Sequence, residues 1–375
     1  MSIFTAKGDI DGLFHDLKPF PRSVDTTGWV KPKENSIDAL SYGIENSDGV
    51  EMDLRLSLDG EVIIHHDART QDGSYPETTN YDDMKEHVDL FSDLLSKDDF
   101  VTKWVNEARF VCLELKAPHP SSGAGGGWLR GKEMYNHMSE LFQSVRDMIK
   151  QIEVPSNSTV FYSFDPYITP VANRFSENYR HARLMPKLRQ WGGWTTQRAA
   201  ALPSFISTSV PRLLDKQRKL GAPMLPLALD YLHGWTRFLP IGATMGLQGK
   251  SLQKFNHIRR GHPVYVWPSP IEIEPRLLKA GLSCISDTMQ KGLVYSDGSE
   301  RCLRPGTMPF VENERQPWHE ISDSERAKIV LTSKKKWGWS SGKDELLGLT
   351  SSGTMPWEMP RLIGHRGAGK DPETL

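Results

Sequence analysis

Apolar and polar residues alternate strictly from Val50 to Leu56, and this period of two predicts a half-buried β-strand. One face of the strand carries the apolar side chains, and the other carries Glu51, Asp53 and Arg55. Glu51 and Asp53 therefore lie on one side of the strand, roughly 7 Å apart. Such a pair suits a hard divalent cation, which prefers oxygen ligands. Taken alone, the stretch is equally compatible with an exposed hairpin that has a solvated acidic face.

A hairpin is predicted directly after this strand. Asp59-Gly60 is a strong signal for a two-residue turn, and the apolar run 62–64 follows it. With such a turn, His66 lies opposite Asp53, and opposed residues have Cβ atoms roughly 5 Å apart. The pattern thus predicts an imidazole beside a carboxylate that binds metal.

Further apolar runs predict additional strands, which alternate with helical patterns. Together with 49–56, they lie at 109–116, 158–164, 182–186, 224–230, 263–267, 282–287 and, near the C-terminus, 361–365. Apolar residues at helical spacing predict helices at 37–46, 82–106 and 132–152. Without the last strand, the sheet would keep an open edge, whereas eight parallel strands close into a barrel. We therefore predict an α/β fold, a (β/α)8 TIM barrel, with a small hairpin at the barrel mouth.

Short motifs on these elements resemble those of a known family. They are Glu51-Met52-Asp53, Asp59-Gly60 with His66-Asp67 after five further residues, Glu114-x-Lys116, Ser163-Phe164 and His365-Arg366-Gly367. The set resembles the glycerophosphodiester phosphodiesterase family, a group of (β/α)8 barrels that also contains sphingomyelinase-D-like toxins. The resemblance implies metal-dependent hydrolysis of a glycerophosphodiester to glycerol phosphate and an alcohol.

The order of the motifs differs from that of the family. There, a strand that ends in HRG comes first, a PENT-like helix start follows, and the hairpin comes next. Here residues 33–36 (KENS) supply the helix start, but HRG stands at 365–367. One interpretation is a natural circular permutation, since barrel termini are neighbours in space. We favour it, because seven strands alone would leave an open edge.

The other interpretation is a truncated tandem array or a faulty gene model, in which 362–375 begins a second copy. The segment DPETL at 371–375 supports this interpretation, because it resembles a PENTL helix start. On the permuted interpretation the chain has four parts. We expect an N-terminal extension at 1–30, barrel strands two to eight at 31–300, an insert or linker at 301–355, and the HRG strand at 356–375.

The resemblance also implies roles for residues near the ends of the predicted strands. The implied ligands of a divalent metal, Mg²⁺ or Ca²⁺, are Glu51, Asp53 and Glu114, with Glu34 as an additional candidate. The implied phosphate-binding residues are Arg366 and Lys116, and the implied acid–base pair is His66 and His365. Which histidine is the acid stays open. His65 points to the opposite face and is expected to be structural, and a solvated Glu114–Lys116 ion pair is the plainer alternative.

Two other functions remain compatible with the sequence. One is a catalytically inactive barrel that serves as a binding or scaffold protein, if the C-terminal HRG does not reach the barrel mouth. The other is a phospholipase relative that acts on lipid headgroups. The substrate expected in either active form is a small-molecule or lipid-derived phosphodiester.

The composition of the chain bears on its binding partners and on its location. The chain has 375 residues with 46 basic and 47 acidic side chains, so nothing indicates a nucleic-acid partner. Three cysteines do not form a disulfide framework. Neither a long apolar run nor a leader is found, and we expect a cytoplasmic protein. A basic helix predicted at 324–339 contains tryptophan; weak membrane contact is one interpretation, and a solvated helix is favoured. An aromatic segment at 189–198 is read as a surface loop or a lid.

Overall fold

Eight parallel strands form one curved sheet. The computed structural model describes residues 29–184, 203, 207–233 and 244–370. In chain order, the strands of these residues are β1 (Gly49–Leu56), β2 (Val62–Ile64), β3 (Asp89–Leu90), β4 (Phe110–Leu115), β5 (Thr159–Ser163), β6 (Arg180–Arg183), β7 (Leu225–Ala228), β8 (Val264–Ser269), β9 (Ser283–Ser286), β10 (Phe310–Val311), β11 (Glu314–Arg315) and β12 (Leu362–Gly364). The order in the main sheet is β6-β5-β4-β1-β12-β9-β8-β7. Its end strands β6 and β7 lie close together, so the sheet nearly closes, and the predicted α/β barrel is confirmed.

Helices connect the strands and cover the sheet. They are α1 (Ile37–Asn46), α2 (Tyr81–Met84), α3 (Phe91–Leu95), α4 (Asp98–Asn106), α5 (Gly131–Gln151), α6 (Ile168–Phe175), α7 (Val210–Lys219), α8 (Gly249–Arg259), α9 (Glu274–Lys279), α10 (Asp323–Trp337) and α11 (Lys343–Ser351). The helices predicted at 37–46 and 132–152 are confirmed to within a residue. The single helix predicted at 82–106 is instead three short helices, with β3 between the first two.

The C-terminal strand β12 lies between β1 and β9 and is parallel to both. Ile363 pairs with Gly49 on one side and with Ile285 on the other. The buried carboxylate of Asp48, at the start of β1, accepts a hydrogen bond from the backbone N–H of Leu362 at 2.9 Å. The C-terminal strand thus fills the position that a permuted barrel requires. The permutation itself, as an evolutionary origin, stays a hypothesis.

Strand β1 is buried on both faces, so the prediction of a half-buried strand is wrong. All eight residues from Gly49 to Leu56 are buried. Its apolar face packs against the helices around the barrel, in a cluster that includes Trp104 and Phe142. The opposite face carries Glu51, Asp53 and Arg55. The barrel encloses this face, so its polar side chains are buried and do not face solvent. The alternation therefore predicted the two faces correctly but not their burial.

The hairpin differs from the prediction by one residue. Leu56 pairs with Val62 and Leu54 with Ile64, so Asp53 lies opposite His65 and not opposite His66. The reason is a three-residue loop, 58–60, closed by the left-handed Gly60 with a φ of 86°. Its N–H donates to the carbonyl of Ser57 at 3.2 Å. Such loops are the next most common hairpin connection after two-residue turns.

A small helical layer follows β9 and has its own apolar core. It contains the β10–β11 hairpin, α10 and α11, and its buried residues include Trp318, Ile321, Val330, Trp339, Leu346, Met355 and Met359. A capping box at Ser322 and Glu325 begins α10. In the predicted basic segment, Trp339 is buried and Trp337 stacks on it with ring centroids 6.1 Å apart. Both tryptophans thus contact protein, which favours the interpretation as a solvated helix.

None of the helices in the described residues has the length and apolar character needed to cross a membrane. Three expectations lie outside the described residues: the extension predicted at 1–30, except for residues 29 and 30, the aromatic segment at 189–198 and the DPETL segment at 371–375. The four-part division of the chain also stays a prediction.

Deletion of residues 356–375 tests the role of β12. The deletion removes a central strand and leaves β1 and β9 as two open edges. We expect the shortened protein to be insoluble or to lose its cooperative thermal transition, measured by circular dichroism. The control His365→Ala keeps the strand and should unfold cooperatively. An unchanged melting temperature after the deletion would show that the last twenty residues do not complete the barrel.

Candidate active site

Three buried carboxylates form a cluster on β1 and β4, near the C-terminal ends of β4 and β12. Glu51 and Asp53 lie on β1, and Glu114 lies beside Asp53 on the neighbouring strand β4. One carboxylate oxygen of each residue lies within 4.8 Å of the others. The three residues are 2%, 1% and 7% exposed. Because all three point to one side of adjacent parallel strands, the barrel brings the three predicted metal ligands together.

Two basic side chains, Lys116 and Arg366, contact this cluster. Lys116 Nζ lies 2.9 Å from Asp53 Oδ1 and donates to Glu114 Oε1 at 2.7 Å. Arg366, which follows β12, donates its backbone N–H to Glu51 Oε2 at 2.9 Å, and its Nε lies 3.5 Å from Asp53 Oδ2. Lys116 and Arg366, which are predicted to bind phosphate, are far apart in the sequence and both contact Asp53.

Glu34 contacts Arg366 rather than the three carboxylates. The guanidinium of Arg366 donates from Nη1 to Glu34 Oε1 at 2.6 Å. Glu34 is not one of the residues whose oxygens lie within 4.8 Å of one another. Its role as an additional metal ligand stays a prediction.

His365 is held between two carboxylates. Its Nδ1–H donates to Asp287 Oδ1 at 2.5 Å, and its Nε2 lies 3.8 Å from Glu51 Oε2. Burial alone would lower the pKa of His365, but Asp287 and Glu51 together raise it to about 9. The imidazole is therefore protonated at neutral pH.

His66 has the opposite electrostatic environment. Its Nδ1 bonds the exposed carboxylate of Asp67 at 2.8 Å. Burial lowers the pKa of His66 well below its ordinary value, and the charges of Arg366 and Lys116 lower it further. His66 thus belongs to the same electrostatic cluster as the carboxylates, and its imidazole is neutral at pH 7. His65, next to it, bonds the carbonyl of Arg69 through Nε2 at 3.0 Å.

The pKa values of the cluster show how its charges are distributed. Burial, reinforced by the negative charge of Asp53, raises the pKa of Glu51 to about 8. Burial acts in the same direction on Asp53, but Lys116, His66 and Arg366 hold its pKa well below the usual range. Asp53 and Glu114 in turn raise the pKa of Lys116 against the effect of burial. Asp53 is therefore the charge-balanced member and Glu51 the unbalanced one.

A divalent cation fits this donor set. Glu51, Asp53 and Glu114 supply an all-oxygen donor set, and Lys116 and Arg366 lie beside Asp53. Oxygen ligands of this kind suit Mg²⁺ or Ca²⁺. A bound cation would also favour ionised Glu51, whose pKa is raised by burial and then by the charge of Asp53.

Two residues of the site were not assigned a role from the sequence. The amide of Asn35 donates to Asp53 Oδ2 at 2.7 Å, and its Oδ1 accepts from the Asp53 backbone N–H at 3.2 Å. Asp287 binds His365 as described above. Both had a signal: Asn35 lies in the helix start at 33–36, and Asp287 ends the strand predicted at 282–287. Neither signal indicates what the side chain contacts.

Fold and site together define a class: a parallel α/β barrel with a buried acidic cluster that could hold a metal ion, near the C-terminal ends of β4 and β12. Residues 18–108 match the family described as the glycerophosphoryl diester phosphodiesterase family. The match confirms the resemblance over these residues. No curated protein matches the chain.

Several solved structures are similar in fold. A glycerophosphodiester phosphodiesterase from Thermotoga maritima has 15% identity and a TM-score of 0.37, and covers 63% of this chain and 79% of its own. One from Parabacteroides distasonis has 15% identity and a TM-score of 0.41, with coverage of 67% and 84%. A phosphodiesterase from Oleispira antarctica, in complex with the product sn-glycerol-3-phosphate, has 16% identity and a TM-score of 0.42, with coverage of 67% and 86%.

Glu51→Gln and Asp53→Asn test the metal site. In each variant the new side chain has nearly the same size as the old one but lacks its negative charge. Metal binding should therefore weaken by about tenfold or more. The measurements are the affinity for Mg²⁺ and Ca²⁺ by calorimetry and the rise in melting temperature that each metal produces. The control is Asp99→Asn, which removes an exposed carboxylate from α4. Wild-type metal affinity in both cluster variants would refute the assignment.

Proposed function

We propose that this protein is a metal-dependent glycerophosphodiester phosphodiesterase, which releases glycerol phosphate and an alcohol. One observation carries the proposal: β12 lies beside β1, so His365 and Arg366 lie at the carboxylates of Glu51 and Asp53. The inactive-barrel alternative required an HRG segment that does not reach the mouth, and this geometry argues against it.

The substrate phosphate binds between the two cations. Lys116 is a compact point charge, whereas the guanidinium of Arg366 offers a planar fork that suits phosphate oxygens. Both are already oriented by Asp53, which each of them contacts. Little reorganisation is therefore needed when the negatively charged phosphodiester enters.

The proposed metal ligands are Glu51, Asp53 and Glu114. A divalent cation at these oxygens would polarise the phosphoryl oxygen and stabilise negative charge that develops during the reaction. Asn35 keeps Asp53 in place through hydrogen bonds to both its carboxylate and its backbone. Mg²⁺ and Ca²⁺ are both compatible with an all-oxygen set.

The two histidines divide the proton transfers. His66 is neutral, and its bond from Nδ1 to Asp67 leaves Nε2 as the basic nitrogen, so we assign it as the general base. His365 is protonated because Asp287 and Glu51 favour the imidazolium, so we assign it as the acid that donates to the leaving alcohol.

A lipid-derived substrate is the second candidate, and one observation favours it. The Gly-rich loop that follows β4 carries Trp128 and Leu129, which are 63% and 94% exposed. A pocket that contains Glu114 and Lys116 continues along this loop to Arg130. Exposed apolar side chains beside the site suit a substrate presented at a lipid surface. Higher activity on lysophospholipid dispersions than on glycerophosphocholine would support this candidate.

The proposal is tested by release of glycerol phosphate from glycerophosphocholine, with and without Mg²⁺ or Ca²⁺. We expect turnover that depends on the metal and falls by about 10²- to 10⁴-fold in His66→Ala, because a general base is lost. His65→Ala is the matched control and should retain wild-type turnover. Absence of metal-stimulated release from any glycerophosphodiester or lysophospholipid would overturn the proposal.

The pH dependence follows from the two pKa shifts. Activity needs neutral His66, whose pKa is lowered well below 6.5. The acid limb of the profile, where kcat/KM increases with pH, should therefore lie below pH 6.5. It also needs protonated His365, so kcat/KM should fall as the pH passes about 9. In Asp287→Asn the charge that favours imidazolium is gone, and the alkaline limb should move to lower pH. An alkaline limb that stays in place in this variant would contradict the assignment of His365 as the acid.

A further inference from the structure

Two buried arginine–glutamate pairs lie beside the segments that carry the two histidines. Arg55 Nη1 donates to Glu77 Oε1 at 2.6 Å, and both side chains are 1% exposed. Arg301 binds Glu274 through Nε and Nη2, each at 2.7 Å, and these side chains are 1% and 0% exposed. A buried pair loses the hydration of both charges, so its net contribution to stability is small compared with that of apolar residues of similar volume.

The first pair supports the backbone of His66. Strand β2 ends at Ile64, so the sheet does not hold His66. Arg55 donates from Nη2 to the His66 carbonyl at 2.9 Å, while its Nη1 binds Glu77. The same Nη1 lies 3.4 Å from the carbonyl of Ala117, which follows Lys116. One guanidinium thus links the end of the hairpin to the end of β4.

The second pair supports the partner of His365. Asp287, which binds His365, is flanked by Ser286 and Thr288. Arg301 donates from Nη2 to the Thr288 carbonyl at 2.6 Å. The hydroxyl of Ser286 donates to Glu274 Oε1 at 2.5 Å. The pair therefore fixes the chain on both sides of Asp287, and through Asp287 it fixes the imidazole.

We propose that Arg55–Glu77 and Arg301–Glu274 are positioning pairs, the first for His66 and the second, through Asp287, for His365. Neither pair contacts the three clustered carboxylates in the hydrogen bonds and ion pairs described here. The inference rests on the proposed function only in taking these two histidines as the catalytic ones. The contacts by which the two pairs hold the histidine segments do not depend on that function.

Replacement of arginine by lysine separates the two roles of each pair. Lysine keeps the charge that binds the glutamate, but a single ammonium lacks the planar fork that reaches a carboxylate and a backbone carbonyl together. Arg55→Lys and Arg301→Lys should therefore preserve the ion pair and release the carbonyl of His66 or of Thr288. A misplaced catalytic group costs about 10² in rate.

We expect kcat for glycerophosphocholine to fall by about 10²-fold in either variant, with KM and metal affinity unchanged. The matched control is Arg259→Lys. Arg259 is also 1% exposed, but it donates to the carbonyls of Ala280 and Gly281, ahead of the start of β9 at the opposite end of the barrel. This variant should keep its kcat even if its melting temperature falls. An equal loss of kcat in all three variants would overturn the inference.

A second measurement does not depend on activity. In protein labelled with ¹⁵N at histidine side chains, nuclear magnetic resonance reports the tautomer and environment of each ring. Arg55→Lys should change the signals of His66 and leave those of His365, and Arg301→Lys should do the reverse. Unchanged histidine signals, or equal changes of both histidines in each variant, overturn the positioning role. A wild-type protein with no activity on any phosphodiester would count against the proposed function alone.

Discussion

The pairing of β12 with β1 and β9 is the constraint on which both the barrel and its site depend. Three residues, Leu362–Gly364, complete the sheet, and the chain then turns sharply at Arg366, whose φ is 51°. Glycine is required here, because a Cβ at Gly364 would collide with the carbonyl of Gly367. The tight turn brings the Arg366 backbone N–H to Glu51. The strand that closes the barrel thus also brings His365 and Arg366, the proposed acid and the proposed phosphate-binding residue, to the carboxylates.

The second constraint is electrostatic. Three carboxylates within a few ångströms are costly to bury unless positive charge lies beside them. Lys116 and Arg366 both contact Asp53 and balance it, whereas burial and the charge of Asp53 keep the pKa of Glu51 high. In the proposed function, the oxygens of these carboxylates bind the divalent cation. Lys116 and Arg366 are the proposed binding groups for the phosphodiester, so the proposed metal and substrate would use the acidic and the basic side chains of one cluster.

Much of this arrangement could be predicted from the sequence. The alternation at 50–56 gave the shared face of Glu51 and Asp53, and the eight apolar runs gave the barrel. The hairpin register could not be predicted, because Asp59-Gly60 occurs in both two- and three-residue loops. The burial of the acidic face was missed for a related reason: a period of two does not distinguish solvent from the interior of a barrel. Contacts such as Asn35 with Asp53 join residues that only the closed fold brings together.

The opposite shifts of the two histidines follow from which segment supplies each one. His365 comes from inside the sheet, where β12 lies against β9, and so it meets the carboxylate of Asp287 at the end of that strand. His66 comes from beyond the hairpin, on the side of Lys116 and Arg366, where burial and positive charge favour the neutral ring. A neutral base and a protonated acid at one pH are what phosphodiester cleavage needs. The opposite protonation states that the proposed base and acid need thus follow from the segments that carry the two histidines.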